Sequence, residues 1–250
     1  MSRQAALSVL AVAIFLIGIW NVQSTSQAAV DATLGKAYFA GGCFWCMEEA
    51  FEKVEGVLSA TSGYMGGTVA NPSYEEVSAG RTGHAESVEV VYDPAKVSYQ
   101  KLLDAFWGNV DPITPNAQFC DHGSQYRSAI FFQTEEEKRE SDTSKQAIEQ
   151  SRRFKEPIVT QIVMASQFYP AEEYHQDFYK KNPVRYNFYK YSCGRAKRLE
   201  ELWGKPKRKR DVLSHRPDTS QKSRDKPLTL GVYFWPQQTV PILYPVRCAP

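Results

Sequence analysis

The sequence predicts an α+β domain built in two layers, a mixed sheet covered by helices. Three observations predict it. From Lys36 onward, short apolar or β-branched runs alternate with amphipathic stretches. No internal repeat is present. At 250 residues and 42% hydrophobic content, the chain can bury one sizeable core and is too short for several large domains.

Lys36 to Ala40 reads as a strand running into Gly41-Gly42, and Phe44 to Val54 as a helix. Gly56 to Met65 reads as a strand, Tyr74 to Val77 as a short helical turn, and Ser87 to Tyr92 as an alternating strand that Asp93-Pro94 ends. Ser98 to Trp107 is an amphipathic helix. Asp111 to Gln125, with Pro112, Pro115, Asn116 and Gly123, is a long loop of the kind that often carries function. Ala129 to Phe132 and Ile158 to Ala165 are strands, Glu135 to Arg153 is a charged helix, and Glu172 to Lys180 is a last helix.

The two ends differ from this domain. Residues 1–30 place Arg3 before the apolar stretch Ala5 to Trp20 and then Ser26-Gln27-Ala28, the order of a secretory signal with a cleavage site. An uncleaved anchor is the alternative, though the apolar run is short for a span of about 20 residues. Either way the central domain, residues 31–204, is expected outside the cytoplasm, periplasmic or secreted. Residues 205–250 begin with the basic run Lys205 to Arg210 and continue without clean periodicity, so they read as a disordered or loosely attached extension.

A net charge of +2 gives no electrostatic reason to expect nucleic acid or an anionic membrane as the main partner. Membrane contact is expected only through an uncleaved N-terminal segment. The cysteines are Cys43, Cys46, Cys120, Cys193 and Cys248, an odd number that leaves at least one without an intramolecular structural partner. Reactive thiols are therefore favoured over a static disulfide framework.

Gly41-Gly42-Cys43-Phe44-Trp45-Cys46 lies where a strand ends and a helix begins, so Cys43 should meet the unsatisfied amides of the first turn. That position favours the reactive thiolate. Lowering a thiol pKa from about 8.5 to about 6 needs roughly 3.4 kcal/mol, whereas a helix end supplies about 0.3–1 kcal/mol, and about 2 when partly buried. A second contributor is required. Taken singly, Cys43 could equally be a small buried hydrophobe, Glu86 an exposed strand carboxylate, Tyr74 and Tyr126 half-buried core rings, and Asp121 a turn former beside Gly123.

Four separated motifs in order overturn those readings: GGCFWCMEEAF, NPSYEEVSAGRTGHAESVEVVYDP, DHGSQYRSAIFF and AEEYHQDFYKKNP. Together they resemble peptide methionine sulfoxide reductase A over residues 36–204. The resemblance implies a ferredoxin-like-related two-layer fold and reduction of methionine S-sulfoxide, free or in proteins. Cys43 would be the nucleophile and Glu86 the proton donor, with Tyr74, Asp121 and Tyr126 lining a polar pocket and Phe44 and Trp45 walling the substrate's methyl group. A soft nucleophile must attack the sulfur while its oxygen, a poor leaving group, is protonated. Glu86 and Cys43 are expected to share one proton, with sulfoxide binding selecting thiolate plus carboxylic acid.

The resemblance further implies a sulfenic acid on Cys43, condensation with a second thiol, and recycling by an external thioredoxin-like dithiol, with no bound cofactor. Cys193, read as lying in a flexible region after the last helix, is the favoured resolving cysteine, with Cys46 second; Cys248 receives no role. A monomer is expected. Two other readings compete. A thioredoxin-type CxxC oxidoreductase fits the CFWC spacing but leaves Tyr74, Glu86 and the DHGSQY loop without a purpose. A zinc module using Cys43, Cys46, Cys120 and either Cys193 or His122 has only one CxxC pair, so no metal is expected.

Overall fold

The computed structural model describes residues 34–205. The signal or anchor reading of residues 1–30, the extension beyond Lys205 and Cys248 lie outside the described residues. In chain order the strands are β1 (Gly35–Gly41), β2 (Val57–Met65), β3 (Ala85–Tyr92), β4 (Ala117–Gln118), β5 (Asp121–His122), β6 (Ser128–Phe132), β7 (Gln161–Met164) and β8 (Tyr169–Pro170). The helices are α1 (Phe44–Glu52), α2 (Tyr74–Ser78), α3 (Tyr99–Trp107), α4 (Glu135–Gln150), α5 (Phe178–Lys181), α6 (Pro183–Ser192) and α7 (Arg195–Trp203).

Six strands form one sheet in the order β7-β6-β1-β3-β2-β8. β6 and β7 pair in parallel and the other neighbours are antiparallel, so the sheet is mixed, as expected. Alternation along β1 assigns its faces. Phe39 stacks on Phe51 of α1 at 4.8 Å and on Phe106 of α3 at 5.4 Å, within the larger core. Ala40 turns to a smaller cluster with Met65, Ala85, Ala129, Phe131 and Phe168. All five residues of β6 are buried, the signature of a strand covered on both faces.

Local chemistry sets the helix starts. Ser73 caps α2 in a reciprocal capping box with Glu76, Ser98 caps α3, and Thr134 caps α4 above a first turn of Glu135, Glu136 and Glu137. α4 docks through polar contacts, with Tyr99 Oη against Ser141 Oγ at 3.2 Å and Trp107 Nε1 donating to Ser144 Oγ at 3.0 Å. β2 pairs with β3 across a register shift between Val57 and Ser59, where Leu58 is the extra residue and is exposed.

Three expectations are corrected. The helix read over Glu172 to Lys180 is a 3-10 turn, Glu173–His175, and the short α5. Asp177 adopts φ 54 there and its N–H donates to Glu48 Oε1 at 2.6 Å, while the Gln176 side chain binds the Ser62 backbone, so tertiary bonds outcompete helix continuation. The region around Cys193 is not flexible chain after a last helix. Pro183 opens α6, Gly194 turns the chain at φ 68, and α7 follows, with Leu202 and Arg195 buried. The long loop Asp111 to Gln125 carries the two-residue hairpin β4–β5, followed by a 3-10 turn, Ser124–Tyr126.

Candidate active site

The end of β1 and the start of α1 place Cys43. Gly42 has φ 78, and a Cβ there would come within 2.4 Å of Gln118 Cβ, so only glycine fits. Gln118 cannot yield, because its amide bridges Asp111 N at 2.8 Å and Asp111 O at 2.7 Å. Cys43 then occupies the N-cap of α1, its carbonyl accepting from Cys46 N and Met47 N, and its side chain is fully buried.

The first free amide of α1 goes to Glu86. Phe44 N–H donates to Glu86 Oε2 at 3.0 Å, which brings residues 43 and 86 to one place. Glu86 lies on β3 opposite Tyr64 of β2 and is buried. Burial pushes its pKa well above the usual carboxylate range; the Phe44 N–H acts against the rise, and the Asp121 carboxylate adds to it. Glu86 Oε1 has no hydrogen-bond partner among the described residues. A buried carboxyl whose pKa is raised toward the protonated form, with one uncommitted oxygen at a helix start, is equipped to act as a hydrogen-bond donor.

The polar residues gather around it. Tyr74 and Tyr126 are hydrogen-bonded to one another, and burial raises the Tyr74 pKa, reinforced by Glu86 and Asp121. The Tyr74 phenol therefore stays protonated. Asp121, on β5, accepts a hydrogen bond from Tyr189 Oη of α6. Glu172 supports the wall, accepting from Tyr74 N and Tyr64 Oη, each at 2.8 Å. Burial opposes ionisation of Glu172, yet hydrogen bonds from its own N–H, Tyr74 N and Tyr64 Oη hold its pKa below the usual range. Cys43, Phe44, Glu86, Tyr74, Asp121 and Tyr126 thus belong to one buried cluster; Tyr189 and Glu172 join it without having been singled out in the sequence.

Aromatic rings close the apolar side. Phe44 lies 6.0 Å from Tyr64 and 6.5 Å from Tyr74, and Trp45 stacks flat on Phe178 at 3.7 Å. A further residue sits among them: His175 is fully buried, 4.9 Å from the Phe44 ring and 4.5 Å from the Tyr74 ring, and its Nδ1 accepts from Trp45 Nε1 at 3.2 Å. The signal available in the sequence was a buried indole N–H that must find an acceptor.

Cys193, at the C-cap of α6, is disulfide-bonded to Cys120, joining the pocket loop to the C-terminal helices. Cys120 N–H also donates to Cys193 Sγ at 3.2 Å. Cys46 is a buried free thiol; burial raises its pKa, with the Arg195 charge opposing. The zinc reading is not supported, since Cys120 and Cys193 spend their sulfurs on each other and a disulfide sulfur is not a thiolate ligand.

A family model described as peptide methionine sulfoxide reductase matches residues 35–207. The peptide methionine sulfoxide reductase MsrA of Halalkalibacterium halodurans is 48% identical over 176 residues, covering 70% of this chain and 100% of the relative. That of Listeria innocua is 48% identical over 171 residues, covering 68% and 97%. Among solved structures, reduced Mxr1 from Saccharomyces cerevisiae superposes with a TM-score of 0.57 at 32% identity, over 61% of this chain and 87% of that one. Methionine sulfoxide reductase A of Corynebacterium diphtheriae gives 0.56 at 33% identity, over 61% and 76%. With the match spanning the whole described domain, the chain belongs to the peptide methionine sulfoxide reductase A family.

Proposed function

We propose that this enzyme reduces the S epimer of methionine sulfoxide, free or within proteins, with Cys43 as nucleophile and Glu86 as proton donor. The observation that carries the assignment is the Phe44 N–H to Glu86 bond, which seats a buried carboxyl of raised pKa at the helix start that holds Cys43. The Cys43 sulfur attacks the sulfoxide sulfur as Glu86 delivers its proton to the oxygen. The protonated oxygen then passes from the substrate sulfur to the Cys43 sulfur as the transient S–S bond breaks, so methionine departs, its sulfur reduced by two electrons, and Cys43 is oxidised by two electrons to the sulfenic acid.

Glu86 also supplies the second influence on the thiol that the helix end cannot provide alone. In the reduced enzyme Cys43 and Glu86 share one proton, and a bound sulfoxide oxygen accepts a hydrogen bond only from the carboxylic acid form. Binding therefore draws the proton onto Glu86 and leaves the thiolate. Titration of the reduced Cys43 thiol with and without a sulfoxide ligand tests the coupling, with a downward shift expected on binding.

A second thiol then condenses with the sulfenic acid, releasing water and forming a disulfide that an external dithiol of thioredoxin type reduces. Cys193 is our choice for that thiol, once the external dithiol has reduced its bond to Cys120, and Cys46 the second. Export to the periplasm or beyond follows from the order of charges and apolar residues in residues 1–30. There the protein acts as a monomer with a donor on the same side of the membrane. The deciding assay supplies each methionine sulfoxide epimer with dithiothreitol to the intact enzyme and to Cys43→Ser. Methionine from the S epimer alone, abolished by the substitution, is expected; turnover of both epimers or survival in Cys43→Ser overturns the assignment.

A further inference from the structure

We infer that His175 is a specificity-determining positioning residue, whose Nδ1 fixes the orientation of the Trp45 indole and thereby the size of the group the apolar wall admits. This rests on the reading above that Trp45 walls the substrate's methyl group. An indole N–H can only donate, so His175 Nδ1 must be the acceptor in their 3.2 Å bond, and the proton of the neutral ring sits on Nε2. Burial, working against the nearby carboxylates Glu172 and Glu75, holds the imidazole pKa down to about 4, so Nδ1 keeps its lone pair at neutral pH.

The bond supplies information that packing cannot. Trp45 lies on Phe178 with ring centroids 3.7 Å apart and planes only 5° from parallel. A flat stack of that kind restrains the plane of the indole but distinguishes poorly between its two flipped placements, because both present the same faces to Phe178. Tyr189, edge-on at 6.1 Å, adds a weaker contact. Only the Nε1–H to Nδ1 bond requires one edge of the indole to face His175, and so decides which edge faces the other way.

His175 is also a poor choice for packing alone. Its ring is completely buried among Phe44, Tyr74, Trp45 and Tyr174, yet Nε2 has no hydrogen-bond partner among the described residues. A phenylalanine would fill comparable space without stranding a polar atom, whose burial is unfavourable. A side chain that fills an aromatic cluster at such a disadvantage, and whose one bond goes to the pocket's tryptophan, is set for that tryptophan.

The test compares the S-sulfoxides of methionine and ethionine, which differ by one methylene at the alkyl group. Three variants separate acceptor from ring: His175→Phe keeps a ring without an acceptor, His175→Asn places an amide oxygen near the Nδ1 position, and His175→Gln places one near Nε2. A single methylene in an apolar pocket is discriminated by about 10–200-fold. We expect the methyl-over-ethyl ratio of kcat/KM to fall by about tenfold in the Phe and Gln variants and to stay near wild type in Asn. The indole N–H resonance of Trp45 in 15N-tryptophan-labelled enzyme should move in Phe and Gln and return in Asn. Folded variants with an unchanged ratio overturn the inference, as does loss of selectivity that Asn fails to restore. Should His175→Phe not fold, equal selectivity of Gln and Asn overturns it by itself. A wild-type enzyme inactive on both sulfoxides would instead sink the assigned reaction.

Discussion

The main-chain N–H of Phe44 donates a 3.0 Å hydrogen bond to Oε2 of Glu86, so the first free amide of α1 is held by the acid of the neighbouring strand. Oε1 has no hydrogen-bond partner among the described residues. Glu86→Gln keeps an acceptor for Phe44 N–H and removes the transferable proton. Methionine release in a single turnover should slow by about 10²–10⁴-fold, with the melting temperature close to wild type. Rapid-quench measurement checks this, and an unchanged rate would remove Glu86 from the chemistry.

Gly42→Ala should damage fold and chemistry together. The added Cβ meets Gln118 Cβ at 2.4 Å, at φ 78, and Gln118 is tethered at both ends of its amide. Strain and overpacking sum to about 2–4 kcal/mol of lost stability, with a displaced Cys43. Gln118→Gly in the same chain removes the Cβ and Cγ that the new methyl meets, leaving the Gln118 Cα at 3.8 Å, but not the backbone strain, so chemical denaturation should show only partial recovery.

Glu48 gives the stability a pH dependence with a defined sign. Burial pushes its carboxyl up to about 7, against hydrogen bonds from Ser62 Oγ and Asp177 N–H. Between the ordinary carboxylate pKa and about 7 the folded state binds more protons than the unfolded state, so stability falls as pH rises through that window. The slope amounts to about 1–3 kcal/mol in total. Glu48→Gln should flatten it, measured as unfolding midpoints at pH values across the window; an identical slope in the variant would refute the assignment.

The Cys120–Cys193 bond closes a loop with a sequence separation of 73 residues. Either Cys120→Ser or Cys193→Ser should lower stability by about 2–4 kcal/mol. The two should part company in catalysis: Cys193→Ser is expected to release one methionine per enzyme and then turn over poorly with a protein dithiol donor, while Cys120→Ser keeps turning over. Unimpaired turnover in Cys193→Ser would pass the resolving role to another thiol. Cys46 starts at a disadvantage there, because burial raises its pKa.

Periodicity located the strands and helices of the sheet because each buries one face, and the glycines flanking Cys43 announced a strand-to-helix junction. The motif residues Cys43, Phe44, Glu86, Tyr74, Asp121 and Tyr126 converge because β1, β3, α2 and the β4–β5 hairpin meet at the start of α1. Residues 183–203 were harder to read, although Pro183 and the left-handed Gly194 are helix punctuation. Aromatic and basic residues crowd α6, and its apolar stripe, Tyr186 and Tyr189, is made of rings with polar ends. Three other long-range pairings were not legible: nothing local couples Cys120 to Cys193, Tyr189 to Asp121, or His175 to Trp45.

The irregularity at Leu58 bears on the register of the site. Side chains on a strand alternate faces, so a length change near Tyr64 would rotate the partner of Glu86 to the opposite side of the sheet. Leu58 already absorbs one surplus residue at the far end of β2, before the uninterrupted ladder from Ser59 to Met65. A surplus residue there leaves the pairing of Tyr64 with the acid untouched, so the face of the sheet that carries Glu86 is fixed by the ladder from Ser59 to Met65 and not by the length of the corner before it.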